Sequence, residues 1–263
     1  MNAESTTVAT TPQLEIRNGK ATIRLNRPAQ HNRLEPADLK ELTRMFEELG
    51  RDPEVRVLII TASGKSFSAG FHLGALADDP EAAKGYDPDA FENMVNALEN
   101  MPTPTIAALN GGTYGGATDL ALACDFRIGV EGMRMFMPAA RLGIIYYESG
   151  MRRYMSRLGL NAAKRLFLTA ETIEADELLD IGFLTELVAG DELEARTDAL
   201  ASQIAANAPI AVAGLKQGLT ALACGTFNAE AHQAIRKTSA ESEDHKEAIA
   251  AWGEKRRPVF KGR

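Results

Sequence analysis

The sequence predicts an α/β chain, a core of strands and helices joined by crossovers and followed by a helical C-terminal part. Three observations carry this. The first two-thirds alternates short apolar, β-branched runs with segments at helical spacing. One of those runs, Val55-Arg-Val-Leu-Ile-Ile60, is mostly apolar along its length, as a strand buried on both faces must be. Near residue 150 the strand-like runs give way to an almost unbroken helical pattern.

In chain order, residues 1–12 are polar and Thr-rich and read as a flexible tail. Leu14 to Ile16 and Ala21 to Leu25 flank Asn18-Gly19, the dipeptide of a tight hairpin. A helix follows, with Pro36 in its first turn, Gly50 at its end, and Leu39, Leu42, Phe46 and Leu49 on one face. After the 55–60 strand comes a long loop region from Ser63 to Pro88. Phe91, Met94, Val95 and Leu98 then repeat at i, i+3, i+4, i+7, and Thr105 to Leu109 forms a short strand. Asp119 to Ala123 is helical, and Phe126 to Ile128 and Met133 to Met137 are strands. Helices are expected over about 149–158, 161–168, 174–181, 191–207, 209–223 and 227–252. The expected division is a β/α core over 13–200 and a helical C-terminal region over 201–263. No sequence repeat is visible.

Composition narrows the function. With 29 basic and 36 acidic side chains the net charge is −7, and no basic tract exists for a phosphate backbone, so no nucleic-acid partner is expected. No run is long and apolar enough for a bilayer, so no membrane partner is expected either. The N-terminus lacks the charge and apolar stretch of a secretory signal. Two distant cysteines, Cys124 and Cys224, make no disulfide framework. The expected location is therefore the cytoplasm. His31, His72, His232 and His245 show no metal-ligand spacing, so no metal is expected.

Familiar nucleotide and nucleophile motifs fail. Gly64-Lys65-Ser66 has Ile59 where a phosphate loop needs glycine, and Ser66 and Ser68 miss the GxSxG elbow. What remains is two strand-to-turn junctions, Ser66-Phe67-Ser68-Ala69-Gly70-Phe71-His72 and Asn110-Gly111-Gly112-Thr113-Tyr114-Gly115-Gly116-Ala117-Thr118-Asp119. The second runs into a helix whose first turn offers unbonded N–H groups. Two such groups converging would stabilise negative charge on a carbonyl oxygen. The residues alone fit two tight turns, with glycine for steric reasons, better than they fit such a site.

These junctions, with Leu25-Asn26-Arg27-Pro28, Cys124-Asp125, Pro138, Leu142-Gly143, Ala208-Pro209, Lys216 and Glu254 to Phe260, resemble the crotonase (enoyl-CoA hydratase/isomerase) superfamily, in its order, over about residues 13–261. The resemblance implies a crotonase-like spiral of β/α units, a homotrimer or dimer of trimers built through the C-terminal helices, and an acyl-CoA substrate with no separate cofactor. It assigns the oxyanion hole to backbone N–H groups at Ala69 and Gly116. It places Ala69, Gly70, Phe71, His72 and Gly116 along the CoA cleft, and Lys255 near CoA phosphates. The implied reaction is hydratase or isomerase chemistry through a thioester enolate. A CoA-thioester hydrolase, another atypical crotonase reaction, or a CoA-binding member with little hydratase activity are the alternatives.

Two departures stand out. Hydratases of this family carry two glutamates, and here those positions are Asp119 and Ala139. Asp119 reads either as the acid/base or as a first-turn acid favoured by the helix dipole. Glu148, in Tyr146-Tyr147-Glu148, reads as a replacement carboxylate close to a position where some relatives carry a functional Asp, or as a solvated helix-start acid. His72 stands where the family commonly has Asp. It reads as a pH-sensitive partner near the thioester or as a space-filling side chain bonded to a backbone carbonyl. Lys255 with Arg256 and Arg257 equally fits an exposed basic run.

Overall fold

A computed structural model describes residues 11–74 and 87–263. Most of the tail expected over 1–12, and half of the loop region expected over 63–88, lie outside the described residues.

The hairpin forms as its Asn-Gly predicts. β1 (Gln13–Arg17) pairs antiparallel with β2 (Lys20–Leu25), with Arg17 opposite Lys20 across the turn. Helix α1 (Pro36–Arg51) buries Leu39, Leu42, Phe46 and Leu49 on one face. Its start is fixed by Asp38, which accepts the Glu35 N–H at 2.8 Å and an Arg27 guanidinium N–H at 2.5 Å. Arg27 of the Leu-Asn-Arg-Pro motif thus anchors the helix that follows it.

β3 (Val57–Ala62) begins two residues later than expected and is buried along nearly its whole length. The six-stranded sheet runs β1-β2-β3-β5-β7-β10, parallel from β2 onward, with β5 (Thr105–Leu109), β7 (Phe126–Val130) and β10 (Glu186–Val188). A second, four-stranded sheet runs β4-β6-β8-β9, with β4 (Ser66–Ser68), β6 (Gly112–Tyr114), β8 (Arg134–Phe136) and β9 (Ile173–Glu174). In the units β3–β4, β5–β6 and β7–β8, the first strand enters the large sheet and the second the small one. This is the spiral of β/α units the resemblance implied, and it repeats in structure without repeating in sequence.

Helix α2 (Ala90–Glu99) lies against α1 and turns Phe91, Met94, Val95 and Leu98 inward. Helix α3 (Gly116–Ala123) is buried from Ala117 to Ala123. The segments expected at 149–158 and 161–168 form α4 (Glu148–Thr169), interrupted at Gly159, whose φ of 79° is non-helical. α5 (Ala175–Asp180) precedes β10, and α6 (Leu193–Ala205) lies on β3, β5 and β7. The core therefore continues through the boundary expected at residue 200. α7 (Pro209–Cys224) follows, and the long helix expected at 227–252 is two, α8 (Ala229–Glu241) and α9 (Glu243–Glu254). Ser242 divides them by accepting the His245 N–H on its side chain, an N-cap that starts a new helix. No described helix is long and apolar enough to cross a membrane.

Candidate active site

Both junctions contain short strands, β4 and β6, which pair in parallel and bring the two turns side by side. The first turn is held from below by the 27–34 loop. Asn32 donates from Nδ2 to the carbonyls of Ser63 (2.7 Å) and Ser66 (2.8 Å). Ser68 Oγ donates to the Asn32 carbonyl and accepts the Gly70 N–H. Asn32→Ala would leave those carbonyls without their side-chain donor, and a loss of about 2 kcal/mol in urea-unfolding free energy is expected.

Within this frame the N–H of Ala69 donates to the His31 carbonyl at 2.8 Å. The expected oxyanion role of Ala69 therefore does not fit, because its amide is engaged in the scaffold of the turn. Leu34 and Phe71 form a parallel bridge through the Leu34 N–H to Gly70 and the His72 N–H to Leu34. In a parallel bridge the paired residue's own N–H is directed away from that neighbour, so the Phe71 N–H points to the opposite side.

The second turn packs against Gly70. A Cβ on Gly70, whose φ is +84°, would stand 2.6 Å from the Tyr114 carbonyl oxygen and 2.9 Å from the Gly116 nitrogen. Gly116 is the first residue of α3, so its N–H has no intrahelical acceptor. A Cβ there would stand 2.5 Å from Cζ of Phe91. The two turns thus meet through glycine at Gly70 and Gly116, beside the Phe91 ring.

Asp119 sits three residues along α3 and is wholly buried. Its Oδ1 accepts Arg153 Nε at 2.9 Å, and its Oδ2 accepts Arg153 Nη2 at 2.9 Å and the Tyr147 hydroxyl at 2.5 Å. Arg153, also fully buried, donates to Glu99 (2.9 Å) and to Asn96 (2.8 Å). Burial opposes the charge on Arg153, but the Asp119 hydrogen bonds and the fields of Asp119 and Glu99 outweigh it and hold the guanidinium protonated. Burial and the Asp119 charge together push the Tyr147 hydroxyl far above its usual range. Asp119 is therefore a partner in a buried network, with more bonds than a first-turn helix acid requires.

Tyr147 stacks on Tyr146 with ring centroids 4.3 Å apart, and their hydroxyls lie 3.1 Å apart. Phe71, Phe91, Tyr147 and Tyr146 form an aromatic row from the first turn to an apolar recess of about 320 Å³. Ala139, Ile144, Met151 and Phe167 help line that recess, so the position lacking a glutamate opens onto apolar wall.

The remaining expected residues lie as follows. Glu148 is exposed as the first residue of α4, while its neighbour Ser149 turns to Glu92 at 2.6 Å. His72 Nδ1 lies 3.1 Å from Glu35 Oε2, so a carboxylate is among its partners. Burial raises the Glu35 pKa, yet the bonds and charges of His72 and Arg33 bring it below the usual carboxylate value. Lys255 is exposed at the C-terminal end of α9, and its neighbour Arg256 is bonded to Glu247 and Glu254. Among the described residues no cluster of three His, Cys, Asp or Glu has metal-site geometry. Arg153 was missed from sequence. Arg152-Arg153 is visible as a basic pair, but its partners are 34 and 54 residues away.

Comparison with known proteins decides the family. The enoyl-CoA hydratase/isomerase family model matches residues 15–263. The chain belongs to that family. It is 35% identical over 255 residues to the short-chain-enoyl-CoA hydratase of Clostridium acetobutylicum, covering 93% of this chain and 95% of that one. It is 33% identical over 256 residues to the carnitinyl-CoA dehydratase of Escherichia coli, covering 94% and 97%. The crystal structure of an enoyl-CoA hydratase from Bacillus anthracis superposes with a TM-score of 0.86 at 31% identity, covering 96% of this chain and 99% of that one. An enoyl-CoA hydratase/carnithine racemase from Magnetospirillum magneticum reaches 0.89 at 27%, covering 98% and 97%. This crotonase-fold chain is an enzyme of the family.

Proposed function

We propose that this enzyme acts on an acyl-CoA thioester, holding the thioester oxygen between the backbone N–H groups of Gly116 and Phe71. The observation that carries the reading is the 2.9 Å approach of the Gly70 Cβ position to the Gly116 nitrogen, which puts the two turns within reach of one oxygen. Backbone donors fixed on two supported turns need no rearrangement as the enolate forms, which is where such donors lower the barrier most. The CoA thioesters named for the relatives support the substrate class.

Among the reactions the family name covers, double-bond migration asks least of the side chains. It needs one group to take a proton from one carbon and return it to another, whereas hydration also has to steer water. Ala139 supplies no second carboxylate, and Asp119 Oδ2 is the site's proton acceptor once it exchanges the Tyr147 bond for substrate. The acyl chain lies along the Phe91–Tyr147 row. No separate cofactor enters this scheme.

The test is a panel of short 2- and 3-enoyl-CoA substrates, following conjugated-thioester absorbance and hydration product separately. Migration from 3-enoyl to 2-enoyl substrates, faster than hydration of crotonyl-CoA, is expected. Hydration as the dominant activity, unaffected by Asp119→Asn, would overturn the assignment.

Assembly as a homotrimer or dimer of trimers is part of the same proposal. Ile145 (94% exposed), Leu168 (73%), Leu219 (67%) and Trp252 (88%) support it, since bare apolar side chains in such number suit a subunit contact. Light scattering at micromolar concentration is expected to give three or six times the 28.4 kDa chain mass, and a monomer would contradict it.

A further inference from the structure

Double-bond migration takes a proton from C2 of the substrate and returns one to C4, two bonds further on. Asp119 is poorly placed to follow it. Arg153 donates to both of its oxygens, at 2.9 Å each, and the two side chains are wholly buried. A carboxylate clamped in this way addresses one carbon well. A second proton-bearing atom beside it is needed for the other.

Among the described residues, the side chains that donate to Asp119 are Arg153 and Tyr147. Arg153 keeps its charge against its own burial because Asp119 and Glu99 hold it. Tyr147 is different. Its hydroxyl lies 2.5 Å from Asp119 Oδ2, and the residue is only partly buried where Asp119 has no exposure, so it is the outer member of the pair. Its place is fixed by packing. A Cβ on Gly150 would stand 2.7 Å from Cε2 of Tyr147, so the first turn of α4 lies directly against the ring, and Tyr146 stacks on it at 4.3 Å. Phe91 links it to the oxyanion turn. The Phe91 and Tyr147 centroids are 6.4 Å apart, and Phe91 Cζ is 2.5 Å from where a Gly116 Cβ would stand. Tyr147 is thus one ring away from an amide assigned to the thioester oxygen. Burial, then the Asp119 charge, raise the Tyr147 pKa, so the resting hydroxyl carries its proton and a free phenolate is disfavoured.

We propose that Tyr147 is a second catalytic residue, which gives its hydroxyl proton to C4 of the substrate while Asp119 replaces it. The proposal rests on the migration reading above. In the first step Asp119 Oδ2 exchanges the Tyr147 hydrogen bond for substrate and takes the C2 proton. The C2–H electron pair becomes the C1=C2 bond of the enolate, with negative charge on the thioester oxygen. The hydrogen bond of the pair then runs the other way, from Oδ2–H to the phenol oxygen. In the second step the thioester C=O re-forms, C1=C2 moves to C2=C3, and the C3=C4 electrons take the Tyr147 proton at C4. The proton on Oδ2 passes to the phenol oxygen in the same step, so no phenolate accumulates. Asp119 ends as the carboxylate, Tyr147 as the phenol, and the double bond has moved by one carbon.

A single turnover tests this, with excess enzyme in ordinary water and 3-hexenoyl-CoA carrying deuterium at both C2 positions. Mass spectrometry and NMR read the label in the 2-enoyl product. The wild type delivers the tyrosine's own proton to C4, so its product is expected to keep one deuterium, at C2. Tyr147→Phe is expected to leave KM nearly unchanged and to lower kcat about a hundredfold, the low end of what a positioned general acid contributes. Its residual product, made by Asp119 alone, should carry the second deuterium at C4. A hydroxyl that merely steadied Asp119 would give the same label pattern in both proteins, and that result would overturn the proposal. So would two deuteriums in the wild-type product, or an unchanged kcat in the variant. Circular dichroism reports the fold of Tyr147→Phe. If it fails to fold, the wild-type label decides alone. A wild type that converts none of the substrate would refute the migration reading and this proposal with it, whereas conversion with the wrong label refutes only the part given to Tyr147.

Discussion

Gly70→Ala is expected to reduce turnover by on the order of a hundredfold or more, the cost of losing one oxyanion donor. The added Cβ would stand 2.6 Å from the Tyr114 carbonyl and 2.9 Å from the Gly116 nitrogen, and both are backbone atoms. Neither can rotate aside as the end of a side chain can. The turns must part, and the N–H groups of Phe71 and Gly116 no longer address one oxygen. At φ +84° the alanine is also strained, so a stability loss of about 1–2 kcal/mol accompanies the rate loss. Steady-state kinetics beside urea unfolding separates the two. A variant that unfolds at lower urea while keeping wild-type turnover would show that the contact between the turns is merely structural.

Asp119→Asn is expected to lower stability and activity together. The carboxylate accepts two N–H groups of Arg153 and the Tyr147 hydroxyl, with no exposure to water. An amide presents an NH₂ to one of those donors and leaves Arg153 with Glu99 as its one remaining charged partner among the described residues. Breaking one side of a buried ion pair costs about 3–5 kcal/mol, and Glu99 keeps the expected loss near the lower figure, about 3 kcal/mol. Turnover falls because the proton acceptor is gone and Tyr147 loses its anchor. Full activity in a destabilised variant would make Asp119 a structural residue alone. Wild-type stability with lost activity would show that the Arg153 network does not hold the site.

What the sequence made legible follows from how far each signal reaches along the chain. The Asn18-Gly19 hairpin, the α1 face and the Thr105–Leu109 strand are written in neighbouring residues, and they form as expected. β4 and β6 read as turns because three residues are too short to show alternation; only their pairing defines them. The break at Gly159 falls between the helices expected at 149–158 and 161–168, whereas the division at Ser242 depends on a single residue inside an otherwise helical run. In the site, the second junction and Gly116 were visible as a glycine-rich turn entering a helix. The partner amide proposed here was not, since nothing in the residues of the turn shows which N–H its scaffold engages. What favours Phe71 is the Leu34 bridge, more than 30 residues upstream, together with the Ala69 bond to the His31 carbonyl. Arg153 was equally hidden, because a basic residue within a helix carries no mark of burial until Asp119 and Glu99 are brought to it.

The central claim is that two backbone amides polarise a thioester carbonyl. The most direct test is ¹³C NMR of a saturated acyl-CoA labelled at the thioester carbon, bound to the wild type and to Gly70→Ala. Hydrogen bonds from both amides should move the carbonyl resonance downfield on binding to the wild type, and the variant should bind with little or none of that shift. A wild-type complex whose carbonyl resonates as in free solution would contradict the account.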